Sequence, residues 1–283
     1  MGINSVSCNC GRFVQQKQNN IKEKGSFRAF GASQIASLAS MPVGLVSING
    51  ICNENKNLSE DAIKTINNSI DKFLETSGLR AKGVKIVDCK SSGPAIKLSA
   101  IQDTLETITN PNYAVAQGKN AFFNPTKNEI VFNRAKCSTA AFHEIGHAIN
   151  FNNSKFWKVM QGLRGPSMLI AAGLAIFGAF SKEAVAEDGK ELTKAQKAKN
   201  FTRKNIGAIT TATMLPVVAE EIMASVRGCK WANTNLPKEL AKKVRNTNIW
   251  GALTYTASAI ALGLSAHVAV KVKDSIMEKQ KAQ

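Results

Sequence analysis

Ser138-Thr139-Ala140-Ala141-Phe142-His143-Glu144-Ile145-Gly146-His147-Ala148-Ile149-Asn150-Phe151 is the stretch on which the reading of this chain turns. After Ser138 the pattern becomes helical, and it stays so through Phe151. Residues four apart on a helix share a face, so the imidazoles of His143 and His147 are able to meet one ion about 2.0–2.1 Å from each nitrogen. Glu144, beside the first of them, is placed to touch a water on that ion without binding the ion itself. A Lewis acid that lowers the pKa of a water, with a carboxylate that carries its proton to a leaving amine, is the equipment of a metal-dependent hydrolase. The chain has only three histidines and 14 glutamates, and these frequencies produce an H-E-x-x-H pentapeptide by accident on the order of once in several hundred such chains.

A catalytic zinc takes three protein ligands and leaves one position open. No His, Asp or Glu follows His147 until Glu183, so the third ligand comes from far along the chain. His267 lies in a long apolar stretch and reads as a hydrogen-bonded packing residue rather than a ligand. Glu220 and Glu221 stand out, because they end the uncharged stretch Asn205 to Ala219, where carboxylates are costly unless paired or metal-bound.

Glu221-Ile222-Met223-Ala224-Ser225 resembles the E-x-x-A-[DS] pattern of membrane-integrated gluzincins, the CAAX prenyl endopeptidase and HtpX-like group and the bacterial neutral zinc metallopeptidases. The order of parts is similar too: a strand, the H-E-x-x-H helix, a hydrophobic hairpin, then the glutamate helix. The resemblance covers roughly residues 120 to 230. It implies a zincin-like core with one Zn2+ held by His143, His147 and Glu221, with Glu144 as general base. Its register selects Glu221 over Glu220. Where many relatives carry an aspartate to orient a ligating histidine, this chain has Ser225, whose hydroxyl accepts the same hydrogen bond without a charge. The resemblance further implies that the strand before the metal helix, Ile130, Val131 and Phe132, holds extended substrate by edge pairing. For the oxyanion the sequence offers Arg227, against the plain alternative of a solvated arginine.

Outward from this centre the chain reads as α+β and mostly helical. Ser59 caps an amphipathic helix with Ile63, Ile66, Ile70, Phe73 and Leu74 at helical spacing, closed by Gly78. Val84 to Asp88 and Ala95 to Leu98 read as short strands, and Asn120 to Asn133 as a hairpin, giving a small sheet next to the metal helix. Gly165 to Ser181 and Asn205 to Ala219 form a hydrophobic helical hairpin, and Ile249 to Val270 is a C-terminal hydrophobic helix of about 33 Å, against a hydrocarbon core of about 30 Å. Three segments follow from this: a basic lead and weakly apolar part (1–55), an α/β part with the metal helix (56–164), and a hydrophobic helical part carrying the third ligand (165–283). Within the first, residues 29–53 hold no charge but four serines, Gln34 and Pro42, and read as a packed or surface-lying segment rather than a span.

The net charge of +17 raises nucleic acid as a partner. The basic residues are spread along polar stretches with no stacking aromatics among them, so a lipid surface is the better partner and no nucleic acid is expected. Six scattered cysteines argue against a disulfide-stapled module, and Cys8 and Cys10 read as a flexible terminus rather than a metal clip. If both arms of the hairpin cross a bilayer, Glu221 returns to the side of the histidines. The linkers on that side, Asn152 to Arg164 and Ile222 to Arg245, carry nine Lys or Arg and one Glu, which puts the site in the cytosol. The expectation is therefore an integral membrane zinc endopeptidase acting on protein or peptide. Two alternatives stand beside it. One is a site-2-type intramembrane protease, disfavoured because Asp188-Gly189 sits in a charged loop. The other is a non-catalytic, zinc-stabilised membrane interaction protein, against which Glu144 speaks.

Overall fold

The computed structural model describes residues 28–29, 31–32, 40–89 and 100–281. The expected strand Ala95 to Leu98 and the Cys8/Cys10 pair lie outside these residues. In chain order the elements are α1 (Ser40–Lys56), α2 (Glu60–Thr76), β1 (Lys85–Asp88), α3 (Ala100–Thr109), α4 (Pro111–Ala116), β2 (Phe122–Asn124), β3 (Glu129–Phe132), a short 3-10 turn (Ser138–Ala140), α5 (Ala141–Asn153), α6 (Lys155–Gly162), α7 (Arg164–Phe180), α8 (Lys194–Lys204), α9 (Ile206–Thr213), α10 (Leu215–Asn235) and α11 (Lys238–Lys281). The fold is mostly helical with a three-stranded sheet, and α5 packs against β2 and β3.

Two compact units share the chain. One holds residues 40–168 and 214–259, the other 169–213 and 260–283 together with the described N-terminal residues. Compactness thus groups the segments differently from the three consecutive parts read from the sequence, because α10 packs on α5 and leaves the apolar stretch that precedes it.

In the first unit, Ser59 accepts a hydrogen bond from the Ala62 amide at 3.2 Å, Ile66, Ile70, Phe73 and Leu74 are buried, and Gly78 has φ +71° just past the end of α2. That is the cap, stripe and stop the sequence specifies. Tight turning at Asn124 to Asn128 comes from Asn124 Oδ1, which accepts from the Thr126 and Lys127 amides at 3.0 and 3.2 Å. The strand order is β1-β3-β2, with β1 parallel and β2 antiparallel to β3. This overturns the edge-pairing role expected of Ile130, Val131 and Phe132. They form the central strand, buried and paired on both sides, so its backbone donors and acceptors are already used. Among the described residues, β2 is an edge strand, and it lies against α5. In α1, Asn55 is buried and donates to Thr139 Oγ1 at 2.7 Å, and Ser47 is buried while Leu45 and Val46 are exposed.

The 26-residue run Lys155–Phe180 and the 42-residue run Lys238–Lys279 are long and apolar enough to cross a membrane. The second hairpin arm is not one straight helix. α9 and α10 meet at a 41° bend, where Pro216 at the start of α10 brings no N–H and crowds the preceding turn.

Candidate metal centre

Nearly every side of α5 is covered, with residues 141 to 148 and Asn150 all buried. Against it lies α10, and glycine decides how close the two helices come. A Cβ on Gly146 would stand 2.1 Å from the Ala224 carbonyl oxygen, and one on Gly228 would stand 2.3 Å from that of Phe142. The two contacts are four residues apart on each helix and run in opposite order, so α5 and α10 cross antiparallel with backbones touching. This close approach brings side chains of α10 to both histidines.

Glu221 Oε2 lies 2.9 Å from His143 Nε2 and 3.4 Å from His147 Nε2, and the two nitrogens are 3.0 Å apart. Ligands about 2.05 Å from a tetrahedral centre are about 3.3 Å from each other, so the triangle is close to that edge length. The other ring nitrogens are held from behind. His143 Nδ1 is 3.0 Å from Ser225 Oγ, which donates in turn to the Asn248 carbonyl at 3.3 Å. His147 Nδ1 is 2.9 Å from Glu220 Oε1, which also accepts from Asn150 Nδ2 at 2.8 Å. Each Nδ1 donating backward leaves its Nε2 lone pair facing the triangle.

The arrangement separates the adjacent glutamates, with Glu221 among the Nε2 atoms and Glu220 behind His147. Both are fully buried. Arg164 bridges them, donating to Glu220 Oε2 at 3.2 Å and to Glu221 Oε1. From sequence alone this arginine counts only among the cations of the linker that ends at Arg164. With neutral imidazoles, the buried carboxylates of Glu144, Glu220 and Glu221 against one guanidinium leave two negative charges. Two histidines and a carboxylate with a net −2 around them fit a divalent ion. The groupings His143, Glu144, His147 and His147, Glu220, Glu221 each bring their donor atoms within 4.8 Å.

Burial pushes the Glu144 carboxyl up from its ordinary pKa, while His147 and His143 pull the other way. Burial disfavours a charged imidazole at His147, but Glu221 and the Glu220 hydrogen bond outweigh it and push the pKa up to about 10. A divalent ion held at this centre would have to displace that proton. Its apparent affinity is therefore expected to weaken as pH falls, by up to about tenfold per unit below that pKa. Competition with a chromogenic chelator at pH 6 and pH 8 measures this, and equal affinities at the two pH values would contradict it.

The histidines and Glu144 open onto a cavity of about 260 Å³, walled in part by Phe122 and Phe123 of β2 and by Tyr255 of α11. Arg164 lies over the Tyr255 ring, 5.2 Å from its centroid. Arg227 is not among the cavity-lining residues, because it stands on another face of α10 from Glu221 and Ser225. His267 is likewise absent from this cluster, and it is exposed rather than packed. Tyr255 escaped the sequence reading because it is embedded in an apolar run with no charge beside it. Comparison of the chain with protein-family models, with curated proteins and with solved structures finds no match.

Proposed function

We propose that this protein is a membrane-integrated zinc endopeptidase of the gluzincin type, with its active centre on the cytosolic side. The observation that carries the reading is the triangle of His143 Nε2, His147 Nε2 and Glu221 Oε2 beside the buried Glu144 carboxylate. His143, His147 and Glu221 would hold the zinc, which when bound would supply Lewis acidity toward a water molecule and the scissile carbonyl. Glu144 accepts the proton of the attacking water and passes it to the amide nitrogen. Its place beside the two histidines, on the wall of the cavity, suits both halves of that transfer. Arg164 holds the Glu221 carboxylate by its far oxygen, and Glu220 and Ser225 fix the ring planes of the histidines. Tyr255, in the wall of the same cavity, replaces Arg227 as the oxyanion donor. An extended peptide pairs with the outer edge of β2.

Membrane placement rests on the two long apolar runs and on what they expose. Met168, Leu169 and Ile170 on α7 are 54%, 75% and 53% exposed, and Ile249 and Leu253 on α11 are similarly bare. In water such a face is costly, and in lipid it is not. The nine cations and one glutamate of the linkers on the histidine side favour the cytosol.

The test is a peptide-library digest by detergent-purified protein, with zinc quantified alongside. Wild type is expected to carry one zinc per chain and to lose activity with chelator. Glu144→Gln is expected to keep its zinc and lose about 100- to 10,000-fold in rate. Digestion by neither form, with zinc bound by both, would replace the enzyme with a zinc-stabilised binding protein.

A further inference from the structure

In the second unit α7, α9 and α11 enclose an apolar core of Ala175, Ile206, Ala266 and Val270, with Leu174 and Phe177 packed on it. Small residues let the helices close up: a Cβ on Gly207 would stand 3.0 Å from the Gly263 carbonyl oxygen. At Val270 the apolar bundle ends. On its far side lies a cavity of about 350 Å³ whose wall includes Arg203, Lys204, His267, Lys271, Asp274 and Glu183.

The charges of this wall are organised. Arg203 is 4% exposed, and its guanidinium is fixed by the Ser181 hydroxyl at 2.7 Å, by the Ser181 carbonyl and by Asp274. Asp274 is thereby engaged, while Lys204 and Lys271 are exposed on the cavity rim. Three cations face two carboxylates in the wall, and Lys182 and Lys273 lie within Coulomb range of Arg203 or of each other. The surplus is positive. Directly along the helices from this basic end, Ile176 and Phe180 on α7 and Ile260 and Leu264 on α11, each pair one turn apart, are 45–54% exposed.

We infer that this cavity binds the phosphate of an anionic phospholipid, with Lys204, Lys271 and His267 as its donors and the acyl chains lying along the exposed faces of α7 and α11. A diester phosphate with two alkyl chains matches a cationic pocket that continues into an apolar surface, and a soluble anion matches only the pocket. The inference goes beyond the proteolytic reading and shares with it only the membrane placement of these helices.

The experiment is native mass spectrometry of the full chain released from mixed phosphatidylglycerol and phosphatidylcholine micelles, supported by titration in nanodiscs of each lipid. Wild type is expected to retain phosphatidylglycerol in preference to phosphatidylcholine. Lys204→Gln/Lys271→Gln is expected to weaken that binding roughly thirtyfold, while Lys194→Gln/Lys197→Gln, which removes the same charge from exposed positions of α8, leaves it unchanged. Zinc content and peptide cleavage serve as separate readouts that neither double variant moves. Equal retention of the two lipids, equal weakening by both double variants, or displacement of the lipid by low-millimolar inorganic phosphate would each overturn the assignment.

Discussion

Gly146→Ala is expected to empty the metal centre and destabilise the protein, although it adds one methyl group to a residue that binds nothing. The added carbon would stand 2.1 Å from the Ala224 carbonyl oxygen, whereas carbon and oxygen in contact stay about 3.3 Å apart. Backbone on one side and a helix axis on the other leave no flexible atom to yield, so α5 and α10 must part by about 1 Å. Glu221 Oε2, 2.9 and 3.4 Å from the two Nε2 atoms, then no longer shares an ion with them. Under the proposed reading, bound zinc should fall from the expected one per chain to near zero, with a loss of about 1–3 kcal/mol in stability, as overpacked cores show. Gly173→Ala is the comparison. Nothing stands within 4 Å of its Cβ position, and alanine in a helix interior is favoured over glycine by about 0.5–1 kcal/mol. If Gly146→Ala keeps its zinc and its melting temperature, the close crossing does not set the metal geometry.

The second large effect is a ranking of two neighbours. Glu221→Gln removes an oxygen anion from the triangle and frees one arm of Arg164, so under the proposed zinc-peptidase reading metal and activity are expected to disappear together. Glu220→Gln leaves the triangle intact and removes only the charge behind His147. Its expected cost is about 10- to 100-fold in metal affinity, the usual range for a residue that orients a ligand. Zinc affinity by competition and cleavage rate decide between them. Should Glu220→Gln prove the more damaging, the assignment of the third ligand to Glu221 is wrong.

Much of this centre could be read from the sequence because it is local. His143, Glu144 and His147 lie within one and a half turns, and α2 announces its cap, stripe and stop within twenty residues. What lay hidden depends on distance. A run such as Glu129 to Phe132 has the same alternation whether it sits at an edge or in the middle of a sheet, and its neighbours are decided by a parallel partner more than forty positions away. Gly146 and Gly228 look like ordinary helical glycines until the other helix is present. Arg164 carries the local signature of a solvated cation, and only the fold brings it to two buried carboxylates. The pair Glu220-Glu221 was conspicuous, but two consecutive helical residues point about 100° apart, and which nitrogen each would meet depended on how α10 crosses α5. The fold class, mostly helical with a small sheet beside the H-E-x-x-H helix, is as the sequence reads. The bend at Pro216 and the interleaving of the two units are not.

The order of the ligands along the chain has a consequence for biogenesis. A ribosome completes the histidine pair well before it reaches the carboxylate, and the carboxylate arrives on a segment that must first turn back and settle against the earlier helix. A nascent polypeptide therefore carries an unfinished set of candidate ligands until Glu221 has been made and has settled against α5. Under the proteolytic reading, cutting competence is withheld until that late segment has docked.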